Sequence, residues 1–484
     1  MNWKGISRNV GLALLVSSLF MLLSVLTSVL SGKDSAFTAL MISFMITFTV
    51  GVFPFIFVRK PSAITLKEGY VTITLSWLLS FVFGMLPYAL WGGPFSVANA
   101  WFESVSGFTT TGSSILDNVE ALPNSLLFWR SSTHFIGGLG VVVFLLLIIP
   151  DSSPVKLRLA NMELGSLSRS SYSVSTNRTV YIFAYVYLAI FGLAFILYLL
   201  AGMPFFDALC HAMSVSATGG FSTRNASIGA FHSHWIEAAT MICMYLSSLH
   251  FGLLYLAFVR RSLKPLNNAV VKYYSASLLG FALLLGICLK VNGYCSSWGD
   301  SLWNGLFEVL CISTTTGFAI IDNSTWPGIM CALIMMPAVV CACAGSTSGG
   351  IKMDRIMLSF KTIGRHIGRI LHPSSVNEIK FGGRVLKDED IAPHLLYMVL
   401  YVLLLAVSIS LSLWLGVGWQ NSLGASITSL SNVGPALGSM GSMGSFNGIS
   451  NAAKLVFTMD MFLGRIEIFP VLAVVAMVFD KRNR

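Results

Sequence analysis

Long apolar stretches alternate along the chain with short segments that carry most of the basic residues. A helix needs about 20 apolar residues to cross a bilayer, and the stretches that approach this length lie near 10–31, 38–58, 70–91, 128–149, 180–201, 236–259, 273–291, 327–360, 392–416 and 452–479. This pattern predicts an all-α polytopic membrane protein with ten transmembrane helices. The even number of crossings predicts both termini on the same side.

Four intervening segments, after the third, fifth, seventh and ninth stretches, are too polar to cross a membrane and too apolar for ordinary loops. Each can be aligned on one glycine: Gly112, Gly220, Gly317 and Gly434. Thirteen positions earlier stands a residue type favoured at helix N-caps: Asn99, Asp207, Asn304 and Asn421. Two positions earlier stands a small hydrogen-bonding residue: Thr110, Thr218, Thr315 and Asn432. Glu103 and Glu308 share one more offset, which we interpret as support behind the turns.

These offsets predict four internal repeats, each made of a span, a capped short helix, a turn and a second span. The predicted units are an N-terminal two-helix hairpin with its cytoplasmic linker (1–69) and the repeats 70–155, 156–265, 266–385 and 386–484. All four repeats share one orientation because each contains an even number of spans. Parallel repeats can surround a central pore, whereas the inverted-repeat transporter plan needs opposite orientations.

The turns themselves indicate a cation selectivity filter. Non-helical backbone at membrane depth is tolerated where it is buried in protein or lines a water-filled path. Four half-membrane pore helices would direct their partly negative carboxyl ends at the axis, and carbonyls pointing inward can replace the hydration shell of an ion. The predicted filter residues are Thr110, Thr111, Gly112, Thr218, Gly219, Gly220, Thr315, Thr316, Gly317, Asn432, Val433 and Gly434. The alternative for any single turn is a small-residue helix-packing surface.

Composition and charge agree with a membrane protein. Hydrophobic residues make up 55% of the chain and charged residues 10%, which a soluble protein could not cover with polar surface. The net charge is +10, and most Lys and Arg lie at the N-terminus and at 59–67, 156–178, 260–272, 352–387 and 481–484. Basic loops stay in the cytoplasm, which predicts cytoplasmic termini and disfavours a nucleic-acid partner.

Three further stretches complete a resemblance that covers nearly the whole chain: GGFSTRNASIGAF at 219–231, CAGSTSGGIK at 343–352 and MFLGRIEIF at 461–469. With the turns, they resemble the Trk/Ktr/HKT superfamily of potassium transporters, and the N-terminal hairpin favours the bacterial Trk type over the shorter Ktr type. The resemblance implies potassium uptake across the bacterial inner membrane. The sequence STSGG departs from the STGGG expected for this family.

The resemblance also implies a broken eighth span whose intramembrane loop gates the pore. The candidate gate residues are Gly345, Ser346, Thr347, Ser348, Gly349 and Gly350, a run of poor helix formers. A small-residue packing face is the alternative. By the same resemblance Arg465 points into the pore near the gate, and the alternative is a structural ion pair with Asp460 or Glu467. Arg130, His134 and His250 are interpreted as structural.

No nucleotide-binding fingerprint follows a strand in this chain, so regulation by nucleotides would require a partner. The resemblance implies a cytosolic TrkA-like ring of nucleotide-binding subunits on a homodimer. The basic segment 352–387 is the candidate docking surface, and membrane lipid headgroups are an equally physical partner. We expect no enzyme and no organic cofactor, because HExxH is absent and STSG at 346–349 lacks the leading glycine of GxSG. A proton- or sodium-coupled carrier stays open beside a channel.

Overall fold

The computed structural model describes residues 1–58, 65–148, 176–373, 378–381 and 384–479. The predicted basic clusters at 59–67, 156–178 and 481–484 lie wholly or mostly outside the described residues, as does the boundary predicted between the first two repeats. The described chain is mostly helical, with one small hairpin of strands.

The chain begins with two long apolar helices, α1 (Trp3–Leu30) and α2 (Phe37–Phe57). They approach closely where two glycines face each other: a side-chain carbon added to Gly11 would lie 2.7 Å from the carbonyl oxygen of Gly51. Small residues permit this kind of contact between membrane helices. The hairpin also packs on α3 and α6, defined below, so it stands beside the first predicted repeat.

Of the described α-helices that follow, four lie in or close to the range of each predicted repeat. The first predicted repeat contains α3 (Leu66–Gly84), α4 (Leu86–Trp91), α5 (Val97–Phe108) and α6 (Asn124–Ile148). The second contains α7 (Thr176–Leu200), α8 (Phe205–Ser216), α9 (His234–Ser248) and α10 (Phe251–Val259). The third contains α11 (Ala269–Val291), α12 (Trp298–Ser313), α13 (Gly328–Val340) and α14 (Met353–Leu371). The fourth contains α15 (Asp388–Trp414), α16 (Trp419–Leu430), α17 (Asn451–Arg465) and α18 (Ile468–Phe479).

Smaller elements connect these helices. The antiparallel strands β1 (Ile379–Phe381) and β2 (Arg384–Leu386) lie between α14 and α15. Short 3-10 helices occur at Ser227–Phe231, Lys264–Leu266 and Gly438–Met440.

Six helices within the described ranges are long and apolar enough to cross a membrane, and the bent pair α9–α10 would make a seventh. The prediction of membrane-spanning helices is therefore confirmed, while the number ten stays a prediction. Besides the turn at Met85 between α3 and α4, three of the predicted spans are not continuous helices. The chain is non-helical from 341 to 352, α9 and α10 meet at an angle of 103°, and α17 and α18 are separated at Ile466 and Glu467.

The predicted N-caps are wrong. The residues that precede the first helical position are Ser96, Pro204, Ser297 and Gly418. Asn99, Asp207 and Asn421 lie instead in the first helical turn, and Asn304 lies deeper in α12. Their polar side chains serve a different purpose, because they bind neighbouring segments: the Asn99 amide donates to the carbonyl of Pro94 over 2.8 Å, and the Asn421 amide donates to Ser439 over 2.8 Å.

The buried apolar residues form two large clusters. One joins the N-terminal hairpin, the first predicted repeat and the last helices, and the other joins the second and third predicted repeats. The short helices are built into both clusters: Phe102 and Val105 of α5 belong to the first, and Phe307 and Leu310 of α12 belong to the second. This packing fixes the ends of the short helices, at which the four glycine turns begin.

Candidate functional site

Each short helix ends in a turn with the same backbone conformation. We call these turn 1 (110–112), turn 2 (218–220), turn 3 (315–317) and turn 4 (432–434). The first residue of each turn has a positive φ although it is not glycine, with values of 54° at Thr110, 53° at Thr218, 59° at Thr315 and 56° at Asn432. The glycine two positions later is also positive, with φ of 84°, 83°, 77° and 103° in turn order. Such a repeated, disfavoured conformation indicates a functional constraint.

The four turns close a ring. A side-chain carbon added to the glycine of any turn would lie less than 3.0 Å from a carbonyl oxygen of the next turn, closer than real carbons approach. Gly112 faces the carbonyl of Gly219, Gly220 faces that of Thr316, and Gly317 faces that of Val433. Gly434 faces the carbonyl of Thr111, which returns the ring to its first member. Glycine is required at these four positions both by its φ and by this contact.

In three of the four turns, a side chain of the short helix binds the residues that follow the turn glycine. Glu103 accepts hydrogen bonds from the Ser114 hydroxyl over 3.0 Å and from the Ile115 amide over 3.1 Å. Glu308 accepts from the Ile320 amide over 3.5 Å. These contacts agree with the predicted supporting role of both carboxylates.

His211 is the corresponding residue of the second short helix, and sequence reasoning missed it. Its Nε2 lies 2.9 Å from the Ser222 hydroxyl, and its Nδ1 lies 2.7 Å from the carbonyl oxygen of Asp207. Its place in the sequence could have revealed it, because His211, Glu103 and Glu308 each precede the turn glycine by nine positions.

Arg130 joins turn 1 to turn 2. Its Nε lies 2.8 Å from a carboxylate oxygen of Glu103, and both side chains are almost wholly buried. Its Nη1 donates to the carbonyl of Ser222 over 3.2 Å, and its guanidinium lies over the Phe221 ring at 4.0 Å. The His134 ring also stacks on the Phe221 ring, and the two ring centroids lie 4.1 Å apart. These contacts agree with the structural interpretation of Arg130 and His134.

A cavity of about 90 Å³ lies on the side of the ring where the residues that follow the turn glycines are found. Its lining includes the four turn glycines together with Arg130, Asp117 and Arg224. Both acidic and basic side chains therefore line this cavity together with the four turn glycines.

The 341–352 loop is anchored at the break between α9 and α10. The Cys343 amide donates to the carbonyl of Ser248 over 3.2 Å, and the Phe251 amide donates to the carbonyl of Gly345 over 3.0 Å. A carbon added to Gly345 would lie 2.5 Å from the His250 ring. The His250 side chain in turn accepts from the Gly252 amide over 3.0 Å and so begins α10. The break between α9 and α10 and the 341–352 loop thus stabilise each other.

The tip of this loop contacts three of the four turns at their first residue. The hydroxyl oxygens of Thr347 and Thr218 lie 3.3 Å apart, and the Gly349 amide donates to the Thr315 hydroxyl over 3.3 Å. A carbon added to Gly349 would lie 3.0 Å from the side-chain oxygen of Asn432. The loop therefore lies across the end of the ring opposite the cavity.

Arg465, the last residue of α17, contacts the loop directly. Its Nη1 donates to the carbonyl of Thr347 over 2.6 Å, and its Nη2 donates to the carbonyl of Gly137 in α6 over 3.1 Å. The carboxylates considered as ion-pair partners have other contacts. Glu467 pairs with Arg355 at 2.7 Å and Lys352 at 3.3 Å, and Asp460 accepts a hydrogen bond from the Ser408 hydroxyl.

The sequence pattern of one family, TrkH, described as cation transport protein, matches residues 36–289 and 295–483. The chain belongs to the TrkH family. Its relatives within the TrkH family include the Trk system potassium uptake protein TrkH of Halomonas elongata, which is 32% identical over all of both chains. The Trk system potassium uptake protein TrkG of Escherichia coli is 30% identical over 91% of each chain.

A solved TrkH structure has the same fold. The crystal structure of the potassium transporter TrkH from Vibrio parahaemolyticus superposes with a TM-score of 0.89 at 28% identity, covering 99% of this chain and 100% of that one. The resemblance drawn from the turns and the three sequence stretches is thereby confirmed, as is a mostly helical membrane fold of the TrkH type.

Proposed function

We propose that this chain takes up potassium across the bacterial inner membrane through a pore formed by the repeats 70–155, 156–265, 266–385 and 386–484. The transported ion is K⁺, and no organic cofactor or enzymatic reaction is involved. The names of the relatives, which are potassium uptake proteins, support the choice of ion. Both termini lie in the cytoplasm.

The observation that carries the proposal is the closed ring of four glycine turns. A carbonyl oxygen from each turn faces the glycine of the turn before it, and four short helices direct their carboxyl ends at the same place. Carbonyl oxygens in this number and the negative ends of helices favour a cation without a hydration shell. We therefore assign turns 1 to 4 as the selectivity filter.

The 341–352 loop is proposed as the gate, with residues Gly345 to Gly350 as its moving part. Its contacts with the first residues of turns 2, 3 and 4 support this role, since an ion leaving the ring on that side would meet the loop. The buried guanidinium of Arg465 is bonded to the same loop. A fixed positive charge at this position would oppose the passage of a cation.

We propose that a cytosolic TrkA-like ring of nucleotide-binding subunits acts on a homodimer of this chain through the basic segment 352–387. This segment contains eight Lys and Arg residues, and its first helix starts where the gate loop ends. Lys352 and Arg355 connect that start to Glu467 at the break between α17 and α18. A partner that moves α14 would consequently move both the loop and the α17–α18 break, which begins directly after Arg465.

Tracer uptake into proteoliposomes tests the function. The purified chain should accumulate Rb⁺ in preference to Na⁺ under matched gradients, with a further rise when the cytosolic partner is added. Equal uptake of both ions, or uptake no greater than in empty vesicles, would contradict the proposal. Current recordings in a planar bilayer distinguish the mechanisms, because discrete openings that pass many ions identify a channel and a fixed ion stoichiometry identifies a coupled carrier.

A further inference from the structure

An apolar cavity of about 420 Å³ lies beside the gate loop, between α11, α13 and α14. This volume is within the range of about 300–1,000 Å³ that is usual for ligand sites. Its wall includes Cys341 at one end of the loop and Met353 at the other. Ser313, the last residue of the third short helix, also lines it. The cavity therefore touches both ends of the loop and the helix that leads into turn 3.

The cavity opens on the lipid-facing surface. Its lining includes Tyr273 of α11, which is 61% exposed, and Phe360 of α14, which is 71% exposed. The helix α11 is one of those long and apolar enough to span the membrane. An apolar space of this kind does not hold water stably, whereas the acyl chains of the bilayer lie at its entrance.

Helix α14 adds the second half of a lipid site. Beyond Phe360, exposed apolar residues continue along one stripe of this helix: Ile363, Ile367 and Ile370. A row of basic residues, Lys361, Arg365 and Arg369, runs along the opposite face of the helix. Such a helix lies in the plane of the membrane interface, and a basic row at this depth attracts anionic headgroups.

We propose that this cavity binds an acyl chain of an anionic phospholipid from the surrounding bilayer, whose headgroup is held by Lys361. Lys361 itself lines the cavity, and its ammonium lies 2.8 Å from the carbonyl oxygen of Lys380, to which it donates. An ammonium has three N–H donors, so it can hold a phosphate while keeping this bond. Arg365 pairs with Asp388 at 2.7 Å and is assigned no headgroup contact.

The effect on transport rests on the proposed gating function. An acyl chain in this cavity occupies the space between Cys341 and Met353 and thereby favours the loop position that is seen here. Anionic lipid should accordingly lower the basal ion flux of the chain when the cytosolic partner is absent. A side chain that fills the cavity permanently should make that flux independent of the lipid.

Photo-crosslinking identifies the occupant without requiring transport. The full chain, with p-benzoylphenylalanine replacing Phe281 in the cavity wall, is reconstituted in vesicles of phosphatidylcholine and phosphatidylglycerol. Adducts at position 281 should be enriched in phosphatidylglycerol several-fold over the vesicle composition. Adducts at the control position Leu283, which is 55% exposed on the same helix, should match the vesicle composition. Tyr273 at the rim is the second cavity position, to be used if the 281 variant is not monodisperse.

Two variants complete the test. Lys361→Gln should abolish the enrichment, and Ser277→Phe, which places a ring in the cavity, should abolish the adducts and the lipid dependence of the flux. Ala276→Phe, an exposed neighbour outside the cavity wall, is the matched control and should change neither. Adducts at 281 with the composition of the bulk vesicle would overturn the site, and crosslinked pairs of protein chains would assign the cavity to a second copy instead. Enriched adducts with a lipid-independent flux would refute the regulatory effect alone.

Discussion

The guanidinium of Arg465 donates a 2.6 Å hydrogen bond to the carbonyl oxygen of Thr347. This bond joins the end of α17 to the tip of the 341–352 loop. The second terminal nitrogen of Arg465 donates to Gly137 in α6, so one side chain connects the loop to helices of the first and fourth predicted repeats. In the proposed mechanism Arg465 therefore has two roles. It places a positive charge near the ion pathway, and its hydrogen bonds hold the gate loop in position.

Arg465→Ala should raise basal cation flux in the absence of a cytosolic partner. Hydrogen bonds to charged groups contribute about 1.5–3 kcal/mol, which corresponds to roughly tenfold or more in the open population. Arg465→Lys keeps the charge but loses the paired donors, so it should give an intermediate flux. Tracer uptake measures all three proteins, with Arg260→Ala at the exposed end of α10 as the control. A folded Arg465→Ala variant with unchanged basal flux would contradict the gate role of Arg465.

Gly317→Ser should reduce the preference for Rb⁺ over Na⁺ several-fold. Its side chain would collide with the carbonyl of Val433 and with Pro435, disturbing the oxygen that the ring presents. Gly293→Ser is a matched control because Gly293 has a φ of 76°, close to the 77° of Gly317, but has open space around it. The ratio of the two tracer uptakes is the measurement. An unaltered ratio at full flux would place Gly317 outside the filter.

Gly349→Ala should open the proposed gate partially. An added carbon would lie against the carbonyl of Ser431 and 3.0 Å from the side chain of Asn432, so the loop must move away from the ring. We expect a several-fold rise in basal flux with a nearly unchanged melting temperature. Gly364→Ala in α14 has open space and should leave flux unchanged while favouring the helix by about 1 kcal/mol. A stable, closed Gly349→Ala variant would contradict the gate assignment.

Glu103→Ala should destabilise the fold and the filter together. It leaves the almost wholly buried Arg130 without its carboxylate, and breaking a buried pair in this way costs about 3–5 kcal/mol. Replacing both Glu103 and Arg130 by Met should recover much of this stability, because no unpaired charge then remains. Thermal unfolding in detergent measures the difference. Arg224→Ala is the comparison: Arg224 is 42% exposed in its pair with Asp207, and its loss should cost at most about 1 kcal/mol.

The spacing of the glycines predicted the four turns, because each turn needs a glycine at one fixed position in its own short stretch of sequence. Gly112 and its three counterparts have a positive φ and no room for a side-chain carbon, and only glycine meets both conditions. The same spacing misled us about the start of the short helices. Asn99 and Asp207 have residue types typical of N-caps, yet the caps are Ser96 and Pro204, because the polar side chains are used in contacts with other segments.

Contacts between distant segments could not be predicted from one sequence. The bond between Arg465 and Thr347 and the ion pair between Arg355 and Glu467 join residues more than 100 positions apart. The bend between α9 and α10 was missed for a different reason. Neither glycine nor proline marks the break, and the contacts that hold it, from Cys343 to Ser248 and from Phe251 to Gly345, come from the distant 341–352 loop.

The ring of turns belongs to one polypeptide, and this has a genetic consequence. In a ring of four identical subunits a single base change alters every corner at once. Here a single base change alters one turn and leaves the other three intact, so the residues of each turn can change independently. Asn432 occupies such a corner: its amide donates to the Thr111 hydroxyl over 3.0 Å, at a place where the other turns begin with Thr. The oxygens that surround a passing ion therefore need not be fourfold symmetric, and each corner is open to separate selection.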